Sequence, residues 1–239
     1  MTLLVAAAVA LAFAVPAGAA KGGGGGKPTT TTTEPTSTSA PVDVRDPILF
    51  VHGWNSSAST WDTMVSRFQA AGYTSGELHR WSYNTSQSNK TTAAEISARV
   101  DQILAATGAD QVDLIAHSMG SLSSRWYVKF LGGDSTDKID AWVSLGGPNH
   151  GTDTANLCFS TACSEMRIGS SFLKDLNAGD ESPGDVRYAT WWSPCDTVIN
   201  PDSSVSVAGA GNTQTACIGH SDLHQDATVF AQVAAFVEP

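Results

Sequence analysis

The sequence predicts an α/β fold, a mostly parallel sheet with helices on both faces. From residue 47 onward, short apolar or β-branched runs alternate with longer amphipathic stretches. Strands that alternate with helices pair in parallel through right-handed crossovers, which lay the helices over both faces of the sheet. The sharpest motif, Ala116-His117-Ser118-Met119-Gly120, then falls in a strand–turn–helix frame within that pattern.

Each element has a local cause. Ile48 to Val51 is a short apolar run introduced by Pro47, as a buried strand would be. Thr60 to Ala71 repeats Trp61, Met64, Val65 and Phe68 at three-to-four spacing and stops at Gly72, which predicts a helix. Glu77 to Tyr83 reads as a second strand. Over Thr91 to Thr107, Ile96, Val100, Ile103 and Leu104 make one apolar stripe, Thr92 and Glu95 fit a capping box, and Gly108 closes the helix. Gln111 to His117 is a strand, Met119 to Leu131 a helix closed by Gly132-Gly133, and Lys138 to Leu145 a strand leading into Gly146-Gly147-Pro148. The pattern then weakens. Asn149 to Ser170 is irregular, Ser171 to Asn177 a short helix, Asp185 to Ser193 a strand and Val205 to Ala208 a weaker one. Thr213 to Ile218 leads to a final helix over Ser221 to Val237.

The N-terminal part reads differently. Leu3 to Val15 is uninterrupted apolar, too short to span a bilayer, and Ala17-Gly18-Ala19 supplies the small residues a signal peptidase accepts. Residues 1–20 are therefore expected to be a secretory signal, although no Lys or Arg precedes the apolar run; a membrane anchor is the rival reading. Residues 21–41, with Gly22 to Gly26 and a Thr/Pro/Ser run, have almost no apolar surface to offset the entropy of ordering and read as a flexible tether. Residues 42–239 remain as one folded domain with a substantial core. With 13 basic against 23 acidic residues and a net charge of −10, the chain repels phosphate backbones and anionic headgroups, which argues against a nucleic-acid partner. The four cysteines, Cys158, Cys163, Cys195 and Cys217, are an even number in a chain expected to be secreted, so two disulfides are anticipated. Three connectivities exist; proximity favours Cys158–Cys163 with Cys195–Cys217. A zinc site is the rival, and the spacing suits it poorly.

Ala116 to Gly120 matches the G-x-S-x-G nucleophile elbow with Ala in the first position. The turn is tight, so small residues are required two positions either side of the serine. A serine hydroxyl needs a base, itself oriented by an acid, and in this kind of fold the chain order is Ser, acid, His. That order removes His52, His79 and His117. His150 leaves only Asp134, Asp137 and Asp140 as intervening acids, all near the start of one strand. His220, at the mouth of the last helix, is favoured over His224, expected one turn into that helix and on the surface. Asp196 fits the acid best because it follows the strand ending near Trp192; Asp202 is the runner-up, while Asp175, Asp180 and Asp185 look like solvated surface. A Cys195–Cys217 bridge would tie the acid loop to the base loop. An oxyanion hole needs two backbone N–H groups; Met119 supplies one and Trp54, after Gly53, the other. An ordinary strand–turn–helix with a buried serine is the bland alternative.

These residues resemble the small secreted bacterial triacylglycerol lipases, the class 2 lipases of minimal α/β-hydrolase fold. The likeness lies in V-H-G-W at 51–54, A-H-S-M-G at 116–120, L-G-G-P-N-H-G-T at 145–152, S-P-C-D at 193–196 and G-H-S-D-L at 219–223. It implies a sheet of about six strands, no large lid, the triad Ser118, Asp196 and His220, oxyanion donors Trp54 and Met119, and neither metal nor cofactor. The expected partner is a lipid or small ester, with transient contact at a lipid interface, for a secreted, extracellular monomer. A polyester hydrolase and a non-catalytic binding module on the same fold are the alternatives.

Overall fold

A computed structural model describes residues 45–238; the segments read as signal and tether lie outside them. Six strands form one sheet in the order β2-β1-β3-β4-β5-β6, all neighbours parallel. They are β1 (Ile48–Val51), β2 (Leu78–Arg80), β3 (Val112–His117), β4 (Ile139–Leu145), β5 (Arg187–Trp192) and β6 (Gly211–Gln214). Successive side chains of a strand point to opposite faces, and the central strands are apolar on both. Leu49, Val51, Leu114, Ala116 and Trp142 pack on one side with α2 (Asn89–Thr107), α3 (Gly120–Phe130), α4 (Thr161–Met166) and α5 (Ser171–Leu176). Ile48, Phe50, Ile115, Val143 and Leu145 pack on the other with α1 (Asp62–Ala70) and α6 (Ala227–Val237). Two cores thus clamp the sheet, so the carboxyl ends of its strands are held as a rigid platform. Within the first core, the buried Trp142 Nε1 donates to Ser124 Oγ at 2.9 Å. No described helix is long and apolar enough to cross a membrane.

The expected elements are present, with four differences that have physical causes. The long helix α2 is capped by Ser88, whose hydroxyl accepts from Lys90 N; Thr92 lies inside the helix, and Glu95 accepts instead from the Gln87 amide. Val205 to Ala208 is not a strand. Asp202–Val205 is a 3-10 turn, and the Asn212 carboxamide takes both the N–H and the C=O of Val207 at 3.0 Å, leaving neither for a ladder. The edge strand is instead β6, over Gly211–Gln214, a stretch not read as a strand from the sequence. Within the irregular stretch, a 3-10 turn over Asp153–Leu157 and α4 are ordered. The final helix starts at Ala227, because Asp226 accepts from the N–H groups of Thr228 and Val229; Ser221 to Asp226 precede it.

Both favoured disulfides form. Cys158–Cys163 and Cys195–Cys217 have Cα separations of 5.8 and 5.0 Å, ordinary for bridged residues.

Candidate active site

Ser118 stands directly after β3 and two residues before α3, with φ +54°. A non-glycine residue in the left-handed region costs roughly 1–3 kcal/mol and persists only where its surroundings impose it. They do so here. Ser118 N donates to Leu145 O at 2.9 Å, its carbonyl accepts from Ser121 N at 3.0 Å, and α3 is pressed against the end of β1. A Cβ on Gly120 would lie 2.5 Å from Val51 O and 2.6 Å from His52 O, so only glycine permits that approach. The β1 loop closes in from the same side: a Cβ on Gly53 would lie 2.8 Å from Ser118 Cβ.

Across from the serine, His220 Nδ1 donates to Asp196 Oδ2 at 2.7 Å. Both side chains are nearly buried. Asp196 Oδ1 accepts from the N–H groups of Val198 and Ile199 at 2.8 and 3.0 Å. Burial alone would raise the Asp196 pKa, but the hydrogen bond and charge of His220 and those two N–H groups outweigh it and hold the carboxyl below its ordinary value. The Cys195–Cys217 bridge joins the two loops that carry this pair. Ser193 Oγ donates to Ile218 O at 2.6 Å and accepts from Ile218 N at 3.0 Å, a second tie between them.

Ser118 and His220 line one cavity of about 510 Å³, together with Trp54, Thr152, Leu157 and Ile199. The serine hydroxyl makes no hydrogen bond to the His220 ring, and in ligand-free sites of this type such contacts are often long. Met119 is buried and Trp54 is 41% exposed. Neither of their backbone N–H groups has an acceptor among the described residues, so both stay available to a ligand beside Ser118.

Two histidines set aside from the sequence belong to this site. His224 is not on the surface: it is 2% exposed, lines the cavity and bonds through Nε2 to Thr60 Oγ1 at 2.8 Å. His117 packs against both His220 and His224, with ring centroids 4.7 and 4.5 Å apart. Burial, then the neighbouring His220, lowers the pKa of both; His117 falls well below the usual imidazole range and His224 to about 4. The Asp226 cap, legible as Asp before an apolar run, was the signal that His224 precedes the helix. His150 is bonded to Glu181 at 3.0 Å, away from the cavity, and Asp202 opens its 3-10 turn with no histidine partner among the described residues.

The acidic cluster with metal-like spacing among the described residues, Asp46, Asp113 and Asp140, lies at the opposite end of β3 from Ser118. Burial raises the Asp113 pKa well above the usual range, and Arg187 already bonds Asp140, which fits a neutralised structural cluster.

A parallel six-stranded sheet with a strained serine at the carboxyl edge of its middle defines an α/β-hydrolase. The family model for lipase (class 2) matches residues 45–233, and the chain belongs to that family. It is 26% identical over 118 residues to a triacylglycerol lipase of Pseudarthrobacter phenanthrenivorans, covering 47% of this chain and 36% of that one. It is 27% identical over 118 residues to a triacylglycerol lipase of Burkholderia plantarii, covering 47% and 32%. The matched region thus spans about a third of the length of these curated relatives. Among solved structures, Bacillus licheniformis lipase BlEst2 in its mature form superposes with a TM-score of 0.72 at 18% identity, covering 86% of this chain and 96% of that one. Aspergillus fumigatus lipase B gives 0.67 at 15% identity, covering 79% and 51%. Both share the fold.

Proposed function

We propose that the chain is a secreted serine hydrolase of carboxylic esters, triacylglycerols foremost, with Ser118 as nucleophile, His220 as base and Asp196 as its orienting acid. The observation that carries this is the buried 2.7 Å pair of His220 and Asp196 facing the cavity that Ser118 also lines. In the first step His220 Nε2 takes the Ser118 proton as Oγ attacks the ester carbonyl. The unpartnered N–H groups of Trp54 and Met119 hold the developing oxyanion. His220 then returns its proton to the departing alcohol, leaving an acyl-enzyme. Water, activated by the same imidazole, adds to the acyl carbon, and collapse of the second tetrahedral intermediate releases the acid and restores Ser118. Asp196 stays ionised throughout and stabilises the imidazolium. The paired cysteines support a chain matured in an oxidising compartment, and the apolar run before residue 20 supports export.

Ser118→Ala tests this reading. Turnover of 4-nitrophenyl butyrate should fall by several orders of magnitude while the circular dichroism spectrum stays unchanged, and labelling by a fluorophosphonate should disappear. A variant that hydrolyses the ester at the wild-type rate would remove Ser118 from the mechanism. Comparing 4-nitrophenyl butyrate, 4-nitrophenyl palmitate and emulsified tributyrin ranks soluble against aggregated esters.

A further inference from the structure

The loop beside the cavity exposes apolar side chains that the core does not use. Phe159 is 90% and Leu157 82% exposed, and Leu157 also lines the cavity, as does Trp54 from the opposite loop. Exposure on this scale next to a site marks a surface that meets something apolar. Three features show that the exposure is built in. Cys158 between them is extended, at φ −133° and ψ 161°, so its neighbours project to one side while its sulfur turns the other way to Cys163. Arg167 grips the loop from within, Nε donating to Ala155 O at 3.2 Å and Nη2 to Cys158 O at 2.9 Å. Ser160 then caps α4 through Cys163 N. A loop held by a disulfide, a guanidinium fork and a helix cap has little freedom to fold its apolar tips inward or to swing as a lid.

We propose that Leu157 and Phe159 are a fixed anchor that seats the cavity mouth on an uncharged lipid–water interface. The choice of occupant follows from charge. Thr154 to Cys163 contains no Asp, Glu, Lys or Arg, whereas the chain as a whole carries −10; an anionic surface is repelled and a neutral ester phase is not. Because the loop is already ordered, docking costs little conformational entropy, and the gain is the apolar area withdrawn from water. The anchor orients substrate rather than opening a gate, so rate should track the adsorbed fraction with no separate activation step. This inference rests on the ester-hydrolase reading of the cavity.

Phe159 lies outside the cavity lining, so Phe159→Ser separates the two. Binding is measured by flotation with a triolein emulsion, in the Ser118→Ala background to prevent turnover, and turnover with dissolved 4-nitrophenyl butyrate in the Ser118 background. Phe159→Ser should weaken emulsion binding at least about tenfold, leave the soluble ester rate within twofold, and Phe159→Leu should restore most of the binding. Unchanged emulsion binding in Phe159→Ser overturns the anchor. So does a loss of soluble-ester activity that matches the loss of binding, since the loop would then shape the pocket, and so does conversion of a dimer to a monomer with emulsion binding intact. If Ser118→Ala still hydrolyses the dissolved ester while the Phe159 effects hold, the mechanism falls and the anchor stands.

Discussion

His117 Nε2 donates to the main-chain carbonyl of His220 at 3.0 Å. The residue before the proposed nucleophile therefore holds the backbone of the proposed base, and the bond requires a hydrogen on Nε2. Replacing it with Ala removes both that bond and the ring packed at a tilt against His220, 4.7 Å away between centroids. His117→Ala should lower kcat on 4-nitrophenyl butyrate by roughly tenfold, within the range seen when a positioning contact is lost, with a smaller change in KM. His117→Gln, which can still donate, should recover part of kcat. Equal kcat for all three proteins would reduce His117 to packing.

His220 and His224 stand four residues apart in one cavity, yet their variants should behave differently. His224→Gln keeps a polar contact for Thr60 and should retain most activity, whereas His220→Gln should lose several orders of magnitude. Steady-state kinetics on a dissolved ester separates them directly. If His224→Gln is the inactive protein, the base has been assigned to the wrong residue.

The same buried imidazoles set an acid limit on stability. In the unfolded chain they titrate near the ordinary value of 6.5, whereas in the fold burial, reinforced by His220, lowers His224 to about 4 and His117 also falls. Between those values the unfolded chain binds protons that the native state refuses, so stability is complete above pH 6.5 and declines as pH falls toward 4. For His224 the span is on the order of 3 kcal/mol. Asp196 acts only at lower pH, since its contribution is lost as pH falls through a pKa already below the ordinary value. Asp113 runs the other way: its pKa is raised by burial, so its contribution is present in acid and lost as pH rises. Urea midpoints at pH 7.5 and 4.5 for the wild type and His224→Gln isolate the histidine. The variant should show the shallower decline.

The Cys195–Cys217 bridge closes a loop with a sequence separation of 22, for which loop-closure entropy gives about 3 kcal/mol. Because Cys195 adjoins Asp196, the double serine variant should lose that stability and also broaden the pH–rate profile on its acid limb as the carboxylate wanders from His220. The Cys158–Cys163 bridge spans a separation of only 5, and its double serine variant should cost less stability and leave the soluble-ester profile in place. Thermal unfolding together with pH–rate profiles checks both.

What could be read from the chain follows a physical divide. Strands β1, β3 and β4 and helices α1 to α3 are declared by continuous apolar runs and three-to-four periodicity, which are local. The pairing of His220 with Asp196 was legible because chain order and cysteine position filter the acids and imidazoles before any coordinates exist. The misreadings share a cause: two local signals competed, and a side-chain bond to nearby backbone chose between them. Val205 to Ala208 looks β-branched, but the Asn212 side chain takes its backbone groups. Ser221 looks like a helix start, but Asp226 caps the helix and leaves His224 in the preceding turn. The sheet order and the burial of His224 depend on contacts such as Thr60 to His224, 164 residues apart, which no local pattern encodes.

The two small residues of the elbow are not equivalent, and this gives the last test. Ala116 is fully buried and its methyl group belongs to the core cluster beneath α3, so the first position accepts a Cβ because the sheet face has room for one. At Gly120 the added carbon would meet the main-chain oxygens of Val51 and His52 at 2.5 and 2.6 Å, and backbone cannot rotate away as a side chain can. Ala116→Gly should cost about 1 kcal/mol from lost packing and added chain entropy and keep most of the activity. Gly120→Ala should cost roughly 1–3 kcal/mol or more from overpacking, and it should also depress kcat, because relief requires α3 to move off β1 and carry Ser118 away from the Gly53–Trp54 loop. Thermal melts and ester kinetics on the two variants decide the matter: a Gly120→Ala protein as stable and active as wild type would mean that the contact between α3 and β1 is softer than the geometry states.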